Sequence, residues 1–65
     1  MKRFSPERMA SKRRRMGKTQ KQLSVEVGIS QVSISAIEKG RKEPRSSTLA
    51  RLASALECSV DALFV

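Results

Sequence analysis

Residues 20–39 read QKQLSVEVGISQVSISAIEK, and the spacing of their apolar side chains predicts two short helices meeting at Gly28. Leu23 and Val27 stand one helical turn apart on the first helix, while Ile34 and Ile37 share a face of the second. Ser24 is small where two helices must cross closely, and Gly28 stands where a helix ends in a left-handed conformation that costs glycine nothing. Ile29 then falls into the angle between the helices, and Ser30 is placed to cap the second one.

Working outward, Ser5-Pro6-Glu7 reads as an earlier helix start. Ser5 caps, Pro6 takes the first helical position where its missing N–H is no loss, and Glu7 suits the positive end of the dipole. Phe4 and Met9 occupy the two staple positions across that cap. This helix runs to about Met16 and Gly17 closes it, with residues 1–4 ahead of it as a basic arm. Thr19 with Gln22 forms a T-x-x-Q capping box for the next helix, which ends at Gly28. The third helix spans Ser30 to Lys39 and stops at Gly40. Residues 41–45, RKEPR, form a charged loop, after which Ser46 or Ser47 caps a fourth helix with Leu49, Leu52, Ala53 and Leu56 on its buried stripe. Ser59 caps a last short helix, Val60 to Phe64. The expectation is an all-α, compact five-helix bundle forming a single domain over residues 1–65.

Sixty-five residues lie near the size at which one core barely repays the entropy of ordering the chain, so partnering with a second copy is expected. A net charge of +8 favours a polyanion: DNA, RNA or an acidic membrane surface. No apolar run approaches membrane-spanning length, and the basic start lacks the apolar segment of a secretory signal. A single cysteine rules out an internal disulfide and fits a reducing cytoplasm. Without histidine, and with that cysteine on the expected core stripe, neither a nucleophile–base pair nor a metal site assembles from familiar parts; no catalysis and no cofactor are expected.

Nucleic-acid binding has more to work with. At 100° per residue along the third helix, Gln31, Val32, Ser35, Ala36 and Lys39 fall on one arc, with Ser33, Ile34 and Ile37 opposite. A solvated face ordinarily carries Glu and Lys. Here the side chains before the terminal lysine are short and uncharged, as suits a helix pressed against base edges in a major groove. Gln pairs with adenine edges, Ser donates or accepts, and Val or Ala meets a thymine methyl. The alternative is that Val32 and Ala36 pack against a neighbouring helix or a dimer partner.

The pieces T-Q at 19–20, V-G-I-S-Q at 27–31, I-x-x-I-E at 34–38 and L-A-S-A-L at 52–56 resemble the lambda-type phage repressor and Cro family of helix-turn-helix regulators, also called XRE-like, over about Arg8 to Leu63. The resemblance implies a lambda repressor-like DNA-binding domain whose helix-turn-helix is residues 20–39. It implies that Gln31, Val32, Ser35 and Ala36 read bases, and that Gln20 holds a phosphate, with Thr19, Ser30 and Ser33 as weaker candidates because capping explains the first two equally well. Lys39, Arg41, Lys42 and Arg45 then lie on the loop beside the DNA backbone. Arg13 and Glu38 sit where the family often pairs an Arg on helix one with a Glu ending helix three. The dimer contact in the family commonly lies near the C-terminal part, here Val60, Leu63, Phe64 and Val65; the competing reading has Val60 and Leu63 closing the monomer core. The chain departs from the pattern at Lys12 and Lys18, where apolar residues are usual, at Ser24 for alanine and at Glu57 for a glycine after helix four. Cys58 falls at an apolar family position.

These readings lead to a sequence-specific regulator of transcription, by implication a repressor, acting in the cytoplasm as a homodimer on a near-palindromic double-stranded operator. Its control then comes from concentration, competition or a second regulatory protein. The alternative is an antitoxin or adaptor whose main task is binding a partner protein.

Overall fold

Most element boundaries in this chain are set by an identifiable side chain. The structure, a computed structural model, describes residues 1–65 as four α-helices: α1 (Pro6–Arg15), α2 (Gln20–Val27), α3 (Gln31–Glu38) and α4 (Ser46–Ala55). Ser5 Oγ accepts from Arg8 N at 3.1 Å to start α1, with Pro6 at its first position. The box at α2 closes from both sides, Gln22 N donating to Thr19 Oγ1 at 3.0 Å and Thr19 N donating to Gln22 Oε1 at 2.8 Å. Gly28 ends α2 at φ 80°, and Ser30 Oγ accepts from Ser33 N at 3.0 Å to open α3. None of the helices is long and apolar enough to cross a membrane.

The start of α4 differs from expectation. Arg45, not Ser46 or Ser47, holds the N-cap position, and no side chain caps the helix. The reason is register: Leu49 N already donates to Arg45 O at 2.8 Å, so both serines lie inside the first turn.

A fifth α-helix does not form. Val60–Leu63 makes a single 3₁₀ turn capped by Ser59, and Phe64 leaves it in extended conformation. Four residues are too few for a ladder of i to i+4 bonds, and extended pairing supplies other partners. Arg3 N donates to Val65 O at 2.8 Å, Val65 N to Arg3 O at 2.9 Å and Ser5 N to Leu63 O at 2.7 Å. Phe4 and Phe64 meet edge to face with ring centroids 6.0 Å apart. Residues 1–4 are therefore not a free arm: Phe4 is buried, Arg3 is paired, and Lys2 Nζ lies 2.9 Å from Asp61 Oδ2.

The core collects one or two side chains from each element. Met9 comes from α1, Leu23 and Val27 from α2, Ile34 and Ile37 from α3, Leu52 and Ala53 from α4, with Leu56, Leu63 and Phe4 closing it. The helix α2 packs on both α3 and α4, while α1 covers α3 and the 3₁₀ turn. Ser24 is buried and returns its hydroxyl to Lys21 O at 2.7 Å, which lets a polar side chain occupy a closely packed position. Lys18 meets its apolar surroundings by reaching out: its ammonium bonds Ala55 O at the end of α4 and Glu26 Oε1, both at 2.7 Å.

Glu57 ends the α4 region at φ 54°, the only non-glycine residue of the chain with a positive φ. That conformation costs an L-residue roughly 1–2 kcal/mol, part of which glycine returns as unfolded-state entropy. Glu57→Gly is expected to raise stability by about 1 kcal/mol, read as a higher urea midpoint at unchanged m-value.

Candidate nucleic-acid interface

The presented face of α3 follows from what its other face must bury. Ile34 and Ile37 are completely enclosed, so the opposite arc points to solvent. Gln31 and Val32 are exposed, Val32 at 78 %, and Lys39 is exposed at the end of the helix. Ser35 and Ala36 are half-buried on the flanks of this arc. A valine this open on a folded surface gains nothing from the monomer, and no helix of the chain packs over it.

The orientation of α3 is held from behind. Arg13 Nε donates to Glu38 Oε2 at 2.7 Å and Nη2 to Glu38 Oε1 at 3.1 Å, a bidentate fork joining α1 to the last residue of α3. Arg13 Nη1 also donates to Lys18 O at 2.9 Å, and Gln20 Nε2 to Glu38 Oε1 at 3.1 Å. The two charged side chains are only 11 % and 6 % exposed. Burial alone pushes the Glu38 carboxyl up, but hydrogen bonds from Arg13 and Gln20, with the charges of Arg13 and Arg14, outweigh it and hold the group below its ordinary value of 4.5.

The remaining sequence candidates divide by their partners. Gln20 is half-buried, with its amide nitrogen committed to Glu38, so only its carbonyl oxygen and remaining N–H face outward recognition. Thr19, Ser30 and Ser33 all take part in helix caps; Ser30 Oγ also donates to Ser33 Oγ at 3.0 Å. Arg41, Lys42 and Arg45 are exposed on the α3–α4 loop, and none of them forms an ion pair. Lys42 Nζ lies 3.5 Å from Ser33 Oγ, at the mouth of a cleft of about 240 Å³ lined by Ile29, Ser33, Ile37, Lys42, Pro44, Arg45 and Thr48. Thr48 also borders this cleft, beside the uncapped start of α4.

At the C-terminal end the structure removes one expected interface residue. Leu63 is fully enclosed in the monomer core and has no surface to offer a second chain. Phe64 is half-buried against Phe4, whereas Val60 and Val65 remain exposed.

Comparison with known proteins finds likenesses in both sequence and fold. Residues 9–63 match the family described as Helix-turn-helix. The transcriptional repressor RstR of the cryptic phage CTXphi of Vibrio cholerae serotype O1 is 42 % identical over 57 residues, which are 88 % of this chain and 51 % of RstR. The chain thus spans about half the length of that curated relative. The P22 c2 repressor, solved in complex with a synthetic operator, is 36 % identical with a TM-score of 0.89, covering 94 % of this chain and 92 % of that one. The restriction-modification controller C.AhdI of Aeromonas hydrophila shares the fold, with a TM-score of 0.87 at 24 % identity over 91 % of this chain and 89 % of that one.

The Arg13–Glu38 fork makes two measurable demands. Arg13→Ala leaves a largely buried carboxylate without its partner and is expected to cost about 3 kcal/mol in urea unfolding. The folded-state pKa of Glu38 is depressed, so its stabilisation is complete above about pH 4.5 and is lost as pH falls through the lower folded value. Glu38→Gln is expected to flatten that acid limb while leaving the slope near neutrality unchanged, as thermal melts across the acid range will show.

Proposed function

The chain belongs to this helix-turn-helix family, and on that premise we propose that it is a sequence-specific DNA-binding transcriptional repressor. In this reading residues 1–65 act as one DNA-binding domain, α3 enters the major groove, and occupancy of the operator blocks transcription without any bond being made or broken. One observation carries it: the arc of α3 left open by the core bears Gln31, Val32, Ser35 and Ala36, and is bordered by the unpaired cations Lys39, Arg41, Lys42 and Arg45. Neutral side chains against base edges with cations against phosphates is the division of labour that groove recognition requires. The likeness to a repressor solved with its operator supports the same assignment.

Within that reading, Gln31 pairs with a base edge, Val32 and Ala36 meet thymine methyls, and Ser35 reads a neighbouring position. Lys39, Arg41, Lys42 and Arg45 hold the phosphates on the α4 side. Gln20 reaches a phosphate with the half of its amide that Glu38 leaves free, helped by the α2 N-terminus, while Thr19, Ser30 and Ser33 add hydroxyls that already serve as caps. The protein works in the cytoplasm as a homodimer through Val60, Phe64 and Val65, on half-sites roughly 34 Å apart so that both α3 helices enter one face of the duplex.

Binding is tested by titrating a duplex selected from a random library against a scrambled one. The expected preference is at least ~1000-fold, with a steep loss of affinity as salt rises. Gln31→Ala should relax choice at one base pair by roughly 1–3 kcal/mol, whereas Lys42→Ala should weaken all duplexes alike and lower the salt slope by about 1. Equal affinity for the scrambled duplex overturns the reading. For the dimer, Val60→Asp with Val65→Asp is expected to halve the mass in solution, measured by sedimentation, and to remove the concentration dependence of the thermal melt.

A further inference from the structure

The helix α1 carries a second set of cations that none of the preceding roles uses. Arg8, Lys12 and Arg15 stand at i, i+4 and i+7, and with Ser11 they line an open hollow of about 230 Å³ that contains no apolar side chain. Seven residues of helix rise about 10 Å, so the three charges form one stripe. None of them takes part in an ion pair; Arg8 Nη1 makes a single 3.4 Å bond to Ala62 O. The nearby carboxylate of Asp61 is taken by Lys2. Like charges one turn apart repel, although Lys12 and Arg15 also lie in the last turn of α1, where the helix dipole favours cations.

Its direction separates it from the α3 face. On α1 the opposite azimuth holds Pro6 and Arg13, and these lie against Gly40 and Glu38 at the end of α3. The stripe therefore lies on the side of α1 turned away from the end of α3.

We propose that the Arg8–Lys12–Arg15 stripe binds the phosphate backbone of a second DNA duplex, so that the protein bridges two duplexes. Charge complementarity identifies the occupant. A stable protein partner needs an apolar or aromatic anchor, and stable membrane anchoring needs an inserted apolar group beside the basic patch; this hollow offers neither. A phosphodiester backbone needs only spaced cations and a hydroxyl, and it repays them with released counterions.

The bridging rests on α3 occupying the first duplex, and the test separates the two. Beads carrying a short mixed-sequence duplex are incubated at low salt with the full chain and a fluorescein-labelled copy of that duplex; capture of the label reports bridging. Arg8→Gln, Lys12→Gln and Arg15→Gln together keep good helix formers at two exposed positions and one half-buried one, and circular dichroism confirms the fold. This triple variant is expected to lose capture at least roughly ten-fold while still binding one duplex in anisotropy. A second variant, Gln31→Ala with Lys42→Ala and Arg45→Ala, is expected to keep weak duplex binding whose salt slope falls by about 3 when the stripe substitutions are added. Undiminished capture by the triple variant overturns the proposal, because two α3 faces of a dimer then suffice. Polyglutamate displacing the labelled duplex from the second variant more strongly than unlabelled duplex does, at equal charge, overturns it in favour of an acidic protein. Loss of α3-dependent binding alone, with the stripe contribution intact, counts against the repressor reading and for the stripe.

Discussion

Glu38 ends α3 with a carboxylate held by three N–H groups, two from Arg13 on α1 and one from Gln20 at the start of α2. Everything the molecule presents depends on that junction. A helix of eight residues has little stability alone and takes its pose from what it rests on. Ile34 and Ile37 supply the adhesion, but apolar contact is not directional and tolerates small rotations. The planar guanidinium against a planar carboxylate does not. The fork thus converts a greasy contact into a defined angle, and it does so at the residue where α3 meets the charged loop.

The same junction explains why α2 and α3 act as a unit. Gly28 and Ile29 determine how sharply the chain turns between them, and Ser24 sets how closely the helices approach. Gln20 then ties the far end of α2 to the far end of α3 through Glu38. The two helices are fastened at the turn and again across the gap, so the side chains between these points keep a fixed relation to the cations of the α3–α4 loop. Rigidity of this kind favours recognition because little remains to be ordered when a partner arrives.

What was legible in the sequence was what is local. Caps at Ser5, Thr19, Ser30 and Ser59, and the left-handed end at Gly28, involve residues three or four apart, and each could be read from a few letters. The cap of α4 was misread for the same reason: two serines are good local candidates, but the ladder from Arg45 O determined the register. The fate of Leu63 was not local. Whether it closes the core or faces a partner depends on Met9, Leu52 and Phe4 arriving from elsewhere, and no spacing within the last six residues records that. The pairing of Arg3 with Val65 was hidden similarly, since a basic start reads as solvated until an extended strand end appears beside it. Among site residues, the neutral face of α3 was visible from periodicity, whereas the commitment of the Gln20 amide to Glu38 emerged only with coordinates.

The bridge between residues 3 and 65 makes the molecule a ring in all but covalent terms. Beginning and end of the chain are one structural element, built half from each, with Phe4 and Phe64 as its shared apolar face. Trimming a few residues from either side therefore removes the same contacts, and a fusion at one terminus is felt at the other. Anything joined to Val65 leaves the domain from a hollow that Val65 shares with Pro6, Gly40, Lys42 and Glu43, between the start of α1 and the α3–α4 loop.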